Sequence, residues 1–266
     1  GAVVAMVSLG QGATASVQAE IASLGTNVMI IVPGATTVGG VRGGLGSIST
    51  LTVADAEDIR TKISSVMTVI YGSRSVLQVI HENKNWSTVV VGTTPEFPDI
   101  RSWPITQGNF FTQSDMDSAA KVVVLGKTAA QNLFEPGEEM LGAEIRIRNT
   151  PLRVIGILAP KGQSISGQDQ DDMVVLPFST AERKVLGTKF LGTVGIILVA
   201  TQTRHEIPAA VADIKELLRA RHHLPASEED DFTIRTMEDI ANTIAGTSRT
   251  MMLMLMGIAS ISLIVG

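Results

Sequence analysis

The sequence predicts an α+β fold: a split ferredoxin-like β-α-β layer with an inserted β-rich lobe, flanked by stalk helices that continue into transmembrane segments. Two observations lead to this class. A short apolar strand, a helix and a β-rich stretch follow one another between residues 27 and 80, and the same order returns between residues 193 and 235. The residues between these two units form several short β-branched runs. We therefore interpret the two units as one layer that is interrupted by an insertion.

The first β-α-β unit follows a stretch in which Val17, Ile21 and Leu24 recur at helical spacing. Thr52 and Asp55 have the spacing of a capping box, which predicts that a second helix begins there. The predicted elements are, in order, a helix at 10–24, a strand at 27–32, a glycine-rich loop at 34–49, a helix at 52–64 and a β-rich stretch at 66–80 that is interrupted at 71–73.

The inserted lobe is predicted from β-branched runs that are separated by polar turns. Its strands are expected at 88–92, 121–125, 143–148, 152–158 and 173–176, and its helices at 128–134 and 179–186. Trp103, between several prolines, is expected to anchor an irregular segment to the core. The second β-α-β unit follows, with a strand at 193–199, a helix at 204–222 and a strand at 231–235. That helix begins either after Thr203 or at Pro208, and both starts stay open.

Composition excludes several classes of function. Hydrophobic residues make up 44% of the 266-residue chain and charged residues only 18%, against about 25% charged residues in an ordinary soluble domain. This composition excludes intrinsic disorder, and the net charge of −5 argues against a basic surface for nucleic acid. The absence of cysteine excludes disulfides, thiol catalysis and cysteine metal sites.

The apolar residues are concentrated at the two ends of the sequence. Residues 1–9 are almost entirely apolar, and residues 251–266 contain no charged residue, whereas a bilayer span needs ~20 apolar residues. Because both ends stop within apolar sequence, we interpret the chain as a loop domain between two transmembrane helices. The first basic residue is Arg42, and since cytoplasmic flanks are normally rich in Lys and Arg, we expect the domain to face outward.

Three segments match ligand-binding motifs only in part. Gly126-Lys127-Thr128 has the end of a phosphate-binding loop, but Lys121 stands where that loop needs glycine, so we expect a strand-to-helix junction. The glycines at 39–46 neither follow a strand directly nor open a helix, as a dinucleotide-binding fingerprint requires. His222 and His223 are adjacent, so their side chains diverge and do not share a metal. We therefore expect no catalytic, cofactor-binding or metal-binding residue.

An acidic run precedes the last predicted strand of the inserted lobe. It consists of Gln168, Asp169, Gln170, Asp171 and Asp172. The run does not match a calcium loop, because Val174 and Thr180 stand where an EF-hand needs glycine and glutamate. Two interpretations stay open, a solvated turn and a tip that contacts a partner protein.

Many short segments, taken in their order and spacing, resemble a known family. They are 23–27, Leu51-Thr52, Asp55-Ala56, 101–103, 108–111, 124–126, 133–134, Gly142, 145–147, 154–158, 161–162, 169–172, Arg221-His222 and 230–232. Together they resemble the periplasmic domain of MacB-type ABC transporter permeases, in the MacB/FtsX-like family. The resemblance covers essentially the whole chain, including both apolar ends.

The resemblance implies a domain between the first and second of four transmembrane helices in a bacterial inner membrane. It divides the chain into a first stalk at 1–24, a porter-like lobe at 25–85 and 191–236, an inserted β-rich lobe at 86–190 and a second stalk at 237–266. It implies a second permease copy as homodimer partner, membrane lipid at both ends, and a nucleotide-binding domain that holds ATP and Mg²⁺ outside this chain. In some members a periplasmic adaptor and a TolC-like channel carry a macrolide, peptide or lipid-like substrate onward.

A mechanical role follows from this resemblance. The stalk helices would act as levers between the membrane and the outer lobes, with Ile240 and Ile244 on the second lever. Because a helix moves as a unit only while its backbone hydrogen bonds persist, proline at Ile244 is expected to uncouple its halves and stop transport. Three alternatives stay open: an outward-facing sensory domain with a closed apolar ligand pocket between its lobes, a lipoprotein-release or cell-division relative, and an extracytoplasmic enzyme.

Overall fold

The computed structural model of the chain describes residues 27–34, 37–38, 41–42, 50–164, 167–187 and 191–243, together with residues 246 and 254. The helix predicted at 10–24, most of the predicted glycine-rich loop, Ile244 and nearly all of both apolar ends lie outside the described residues. Within the described part of the chain, no helix is long and apolar enough to cross a membrane.

The described chain contains strands and helices interspersed along its length. The strands are β1 (Val28–Pro33), β2 (Thr37–Val38), β3 (Val41–Arg42), β4 (Val66–His81), β5 (Lys84–Thr93), β6 (Ile105–Gly108), β7 (Val122–Leu125), β8 (Glu144–Ile147), β9 (Thr150–Leu158), β10 (Met173–Pro177), β11 (Ile196–Thr201) and β12 (Phe232–Thr236). The helices are α1 (Val53–Lys62), α2 (Phe97–Ile100), α3 (Gln113–Asp117), α4 (Lys127–Leu133), α5 (Phe178–Thr180) and α6 (Ile207–Arg221). Helix α5 continues as a π-helical segment, Ala181–Leu186, and residues 237–243 are helical.

Within the described residues, one ten-stranded sheet runs through both parts of the chain. Its order is β12-β1-β11-β4-β5-β10-β7-β9-β6, and β8 pairs with both β4 and β9. The first four strands come from the two β-α-β units, and every neighbouring pair among them is antiparallel. The predicted α+β class is confirmed. The strand order supports the split ferredoxin-like assignment, which stays a prediction, as do the predicted lobe boundaries.

Strand β4 joins the two parts of this sheet. The sequence predicts an interruption at residues 71–73, and this prediction is wrong, because β4 runs without a break from Val66 to His81. Up to Gly72 it pairs with β11, and from Gly72 onward it pairs with β5. A Cβ atom at Gly72 would lie 2.4 Å from the carbonyl oxygen of Gly92. Glycine therefore allows the close approach of β4 and β5 at the point where β4 changes its neighbour.

Three hydrophobic clusters cover the faces of the sheet. The first packs α1 and α6 against the strands of the β-α-β units, with Ile214 fully buried. The second contains Val123 and the third contains Val122. The second and third clusters lie on opposite faces of the sheet, because the neighbouring side chains of Val122 and Val123 point to opposite sides of β7. Trp103 belongs to the third cluster, is 2% exposed and donates a hydrogen bond from Nε1 to the carbonyl oxygen of Ala159 at 2.6 Å, so its predicted anchoring role is confirmed.

The second β-α-β unit uses both predicted starts of its helix. Thr203 and Glu206 form a capping box on a short 3₁₀ turn, and α6 then begins at Ile207 with Pro208 in its first turn. Elements α2, α3 and β6 have no counterpart among the predicted elements. Each has only four or five residues, which is too short to show a periodic apolar pattern.

Candidate functional site

Asp55 is the centre of a charged cluster at the first turn of α1. It is only 2% exposed. Its Oδ2 accepts hydrogen bonds from the backbone N–H and the Oγ1 of Thr52, at 2.8 and 2.7 Å, which completes the predicted capping box. Its Oδ1 accepts a hydrogen bond from Nε of Arg221 at 2.5 Å, at the end of α6. One buried carboxylate therefore connects the start of α1 with the end of α6.

His222 lies between two carboxylates of this cluster. Its Nδ1 is 2.8 and 3.0 Å from the two carboxylate oxygens of Asp231, and its Nε2 is 3.3 Å from Oδ2 of Asp55. Both ring nitrogens donate hydrogen bonds only when the imidazole is doubly protonated. The hydrogen bond to Asp55 raises the pKa of His222, burial opposes this effect, and Asp231 raises the pKa further, to about 8. His222 is therefore cationic at neutral pH.

The cluster keeps the Asp55 carboxylate ionised. Burial alone would raise the pKa of Asp55, but hydrogen bonds from His222, Arg221 and Thr52 outweigh burial and hold that pKa far below its ordinary value. The pKa of Arg221 is raised, chiefly by its hydrogen bond to Asp55. Arg221 also forms an ion pair with Asp58, one turn further along α1. Arg221 thus contacts two acidic residues of α1.

A second set of ion pairs closes the turn between α6 and β12. Asp230 lies 2.5 Å from Nη1 of Arg219 and 2.8 Å from Nζ of Lys215. Arg219 also donates a hydrogen bond to the carbonyl oxygen of Pro225 at 2.7 Å. The segment between α6 and Asp231 is therefore held against α6 near its start, at Pro225, and near its end, at Asp230.

Strand β12 leads from the charged cluster into the helix at 237–243. Thr236 and Asp239 form a capping box, in which Oδ2 of Asp239 accepts hydrogen bonds from the backbone N–H and the Oγ1 of Thr236 at 3.0 and 2.7 Å. Met237 is 2% exposed within the third hydrophobic cluster, and Ile240 packs against that cluster. The first turn of this helix is therefore fixed to the domain core. The second predicted lever residue, Ile244, lies outside the described residues.

The acidic run divides into an exposed part and an inward-facing part. Gln168 and Asp169 are exposed, Gln170 and Asp172 are half-buried, and Asp171 is 5% exposed. The Asp171 carboxylate accepts hydrogen bonds from the backbone N–H groups of residues 161 and 162, at 2.7 and 3.0 Å. Asp172 accepts one from the Trp86 ring N–H at 2.8 Å. The partner-contact interpretation stays a prediction, and Gln168 and Asp169 are its most accessible residues.

The same run also covers the start of α4. Oδ2 of Asp169 accepts a hydrogen bond from Oγ1 of Thr128 at 2.7 Å, and the carbonyl oxygen of Asp171 accepts one from the backbone N–H of Thr128 at 3.2 Å. Gly126 separates β7 from α4, so the predicted strand-to-helix junction is confirmed. Because an acidic loop occupies this helix start, the junction does not offer the open amide groups that a phosphate needs.

The charged cluster was not predicted as a unit. The sequence pattern presented Asp55 as a helix cap and His222 as a rejected metal ligand. The resemblance is the one sequence signal that points to this cluster, because the segments that carry it include most residues of the cluster. These residues are Thr52, Asp55, Arg221, His222 and 230–232. Among the described residues, no group of three or more acidic or histidine side chains is arranged to hold a metal ion.

Comparison with known proteins decides the family. Residues 1–217 match the family described as the MacB-like periplasmic core domain. The chain belongs to the MacB-like periplasmic core domain family. The resemblance predicted from the sequence is therefore confirmed, and the chain is a periplasmic domain of the MacB-like permease type.

Two MacB proteins with similar sequences support the assignment to this family. The chain is 33% identical to the macrolide export ATP-binding/permease protein MacB of Syntrophobacter fumaroxidans, over an alignment of 316 residues that covers 100% of this chain and 44% of that protein. It is 34% identical to the MacB protein of Bdellovibrio bacteriovorus, with 100% of this chain and 40% of that protein covered. The chain thus spans less than half the length of these relatives.

Solved structures show the same fold. The periplasmic region of MacB from Actinobacillus actinomycetemcomitans matches with a TM-score of 0.69 and 27% identity, over 86% of this chain and 97% of that structure. The extracellular domain of YknZ, a noncanonic ABC-type transporter from Gram-positive bacteria, matches with a TM-score of 0.64 over 79% of this chain and 100% of that structure. Its identity is only 16%, so this second match concerns the fold alone.

Proposed function

We propose that this MacB-like domain is the extracytoplasmic part of an ABC exporter permease, and that it transmits ATP-driven motion from the membrane helices into the periplasm. The single observation that carries the proposal is the attachment of the 237–243 helix to the domain core. Met237 is buried, Ile240 packs beside it, and the Thr236–Asp239 capping box orders the first turn.

A path for transmitted motion continues from this helix through β12. Strand β12 pairs with β1 over five residue pairs. Asp231, directly before β12, contacts His222 after α6, and His222 and Arg221 contact Asp55 on α1. Because these charge-assisted hydrogen bonds add to the packing of α1, α6 and β12 in the first hydrophobic cluster, a rotation of the 237–243 helix would move β12, α6 and α1 together.

Further partners belong to the same proposal. The relatives are named ATP-binding/permease proteins, which supports a nucleotide-binding domain that uses ATP and Mg²⁺ outside this chain. A second permease copy, membrane lipid, a periplasmic adaptor and a TolC-like channel complete the proposed assembly in a bacterial inner membrane. The proposed cargo is a macrolide, a peptide or a lipid-like molecule.

The proposal is tested in the full-length protein with Ile240→Asp. A carboxylate beside the third hydrophobic cluster should detach the first turn of the helix, because burying an unpaired charge is costly. We expect export, measured as resistance or efflux in cells, to fall by at least about tenfold, while ATP hydrolysis by the purified transporter stays within about twofold.

The matched control is Asn242→Asp, which adds the same charge at an exposed position of the same helix. It should leave export unchanged. For both variants, the amount of transporter in the membrane and the thermal unfolding midpoint are measured. Normal values exclude poor expression and unfolding as the cause of reduced export. Full export by a well-folded Ile240→Asp protein would contradict the proposal.

A ligand-sensing domain is the second candidate function. This alternative predicts a closed apolar pocket between the lobes. In the part of the chain that the structure describes, the cleft between α1 and α3 is open and mainly polar, with Glu57, Arg60 and Glu96 on its walls. The attachment of the 237–243 helix therefore supports the mechanical role more strongly than this cleft supports a sensory one.

A further inference from the structure

A cleft of about 370 Å³ lies between α1 and α3, beside the first half of β4. Helix α1 belongs to the first β-α-β unit, whereas α3 belongs to the inserted part of the chain, so the cleft separates the two parts. Its walls include Glu57 and Arg60 on α1, Tyr71 on β4, and Thr94 and Glu96 after β5. Val69 and Met116 supply the apolar part of the lining.

The charged residues of the cleft carry one excess negative charge. Glu57 and Arg60 form an ion pair with each other. Glu96 has no ion pair with another described residue. Burial raises the pKa of Tyr71, the charge of Glu57 raises it further, and Glu96 acts in the same direction, while Arg60 opposes them. The potential inside the cleft therefore favours a positive group.

Thr94 provides a second and independent observation. It is 5% exposed and lines the cleft, yet its Oγ1 has no hydrogen-bond partner among the described residues. Buried hydroxyl groups in folded proteins are nearly always hydrogen-bonded, because an unpaired one lowers stability. The unpaired hydroxyl of Thr94 and the carboxylate of Glu96, two residues later in the sequence, both line this cleft. Such a pair is expected where a bound ligand supplies the missing hydrogen bonds.

The size of the cleft limits the ligand. Pockets for small molecules usually measure about 300–1,000 Å³, so a cleft of about 370 Å³ takes a compact molecule. We propose that this cleft binds a compact organic cation, a protonated amine on a small apolar body. The ammonium group donates hydrogen bonds to Glu96 and to Oγ1 of Thr94, and the apolar body contacts Val69 and Met116.

The test uses phenethylamine as the probe and phenethyl alcohol as its uncharged counterpart. Each is titrated into the whole chain in detergent, and the methyl resonances of labelled methionines are followed by NMR. We expect a saturable shift of the Met116 methyl resonance with millimolar amine and no saturable shift with the alcohol. This titration requires neither ATP hydrolysis nor export. Its outcome is therefore independent of whether the proposed mechanical function is correct.

Two variants and one control locate the binding. Glu96→Gln and Thr94→Val should each weaken binding of phenethylamine by about tenfold or more. Glu216→Gln removes the same charge from an exposed position on α6 and should leave the affinity unchanged. Since Oγ1 of Thr94 is unpaired, Thr94→Val should not lower the unfolding midpoint, so a loss of binding in this variant reports the hydroxyl and not a loss of fold.

Three results would overturn the inference. The first is the absence of a saturable shift at Met116 with millimolar amine. The second is equal affinity for phenethylamine and phenethyl alcohol. The third is an equal effect of Glu96→Gln and Glu216→Gln, which would show that only the overall charge of the protein matters.

Discussion

His222 makes the stability of the folded domain depend on pH, because it lies between the carboxylates of Asp55 and Asp231. Its pKa rises from 6.5 to about 8 on folding, so the folded state binds this proton more tightly than the unfolded state. The resulting stabilisation is fully present below pH 6.5 and is lost as the pH rises through about 8. Asp55 acts in the opposite direction in acid, since its lowered pKa stabilises the folded state above pH 3.8, and this contribution is lost below it.

We therefore expect the free energy of unfolding to fall by roughly 1–2 kcal/mol as the pH rises from neutral to about 9. The measurement is urea denaturation of the chain at a series of pH values. His222→Gln should abolish this fall, whereas His205→Gln, at an exposed histidine, should preserve it. An identical pH dependence in the wild-type chain and in His222→Gln would show that His222 is not the group responsible.

At the residue scale, the sequence predicts contacts between near neighbours and misses contacts between distant ones. The capping boxes at Thr52–Asp55 and Thr236–Asp239 are predictable, because their partners are three positions apart on one helix turn. The contact between Asp55 and His222 joins residues that are 167 positions apart. It depends on the pairing of β1 with β11 and β12, which places the start of α1 next to the end of α6.

At the scale of elements, Gly72 sets the path of β4. This position takes part in pairing with both β11 and β5, and the neighbouring carbonyl of Gly92 leaves no room for a side chain. The sequence predicts a break here because glycine usually weakens a strand. The structure shows the opposite outcome, since two strong ladders, one on each side, keep the strand extended.

Replacing Gly72 by alanine should therefore destabilise the domain. The added Cβ would lie 2.4 Å from the carbonyl oxygen of Gly92, and one of the two strands must move, at a cost of about 1–3 kcal/mol. The measurement is the free energy of unfolding by urea. Gly195→Ala is the matched control, because its Cβ would meet nothing closer than 3.7 Å. Equal stability of Gly72→Ala and Gly195→Ala would contradict this explanation.

Elements with a continuous apolar run or a clear apolar period are predicted better than elements without one. Strands β7, β9 and β10 and helix α6 carry enough apolar residues to show their period, and their observed ends lie close to the predicted ones. The short elements α2 and β6 contribute Phe97, Ile100 and Ile105 to the packing around Trp103 in the third cluster. No local pattern in α2 or β6 predicts that packing. Helix α3 differs, because its Thr112–Asp115 capping box is a local signal that the sequence prediction overlooks.

At the scale of the whole molecule, the two predicted lobes share one sheet. The sequence predicts two β-α-β units and a β-rich insertion, and β4 connects them because it pairs with β11 of one unit and with β5 of the insertion. A shared sheet resists bending between its parts more than a flexible linker would. The cleft between α1 and α3 is a product of this arrangement and could not be predicted from either lobe alone.

The central claim is that the 237–243 helix and the domain core move as one body. The chain itself has no cysteine. Once any cysteine elsewhere in the full-length protein is replaced by serine, spin labels can be attached at Glu216→Cys on α6 and Asn242→Cys on the helix, both of which are exposed. The decisive measurement is the distance between these two labels within one chain, by pulsed electron paramagnetic resonance in the full-length protein, with and without ATP and with labelled copies diluted in an excess of unlabelled ones. We predict one narrow distance distribution that is the same in both states. A distribution that shifts or broadens on addition of ATP would contradict the claim.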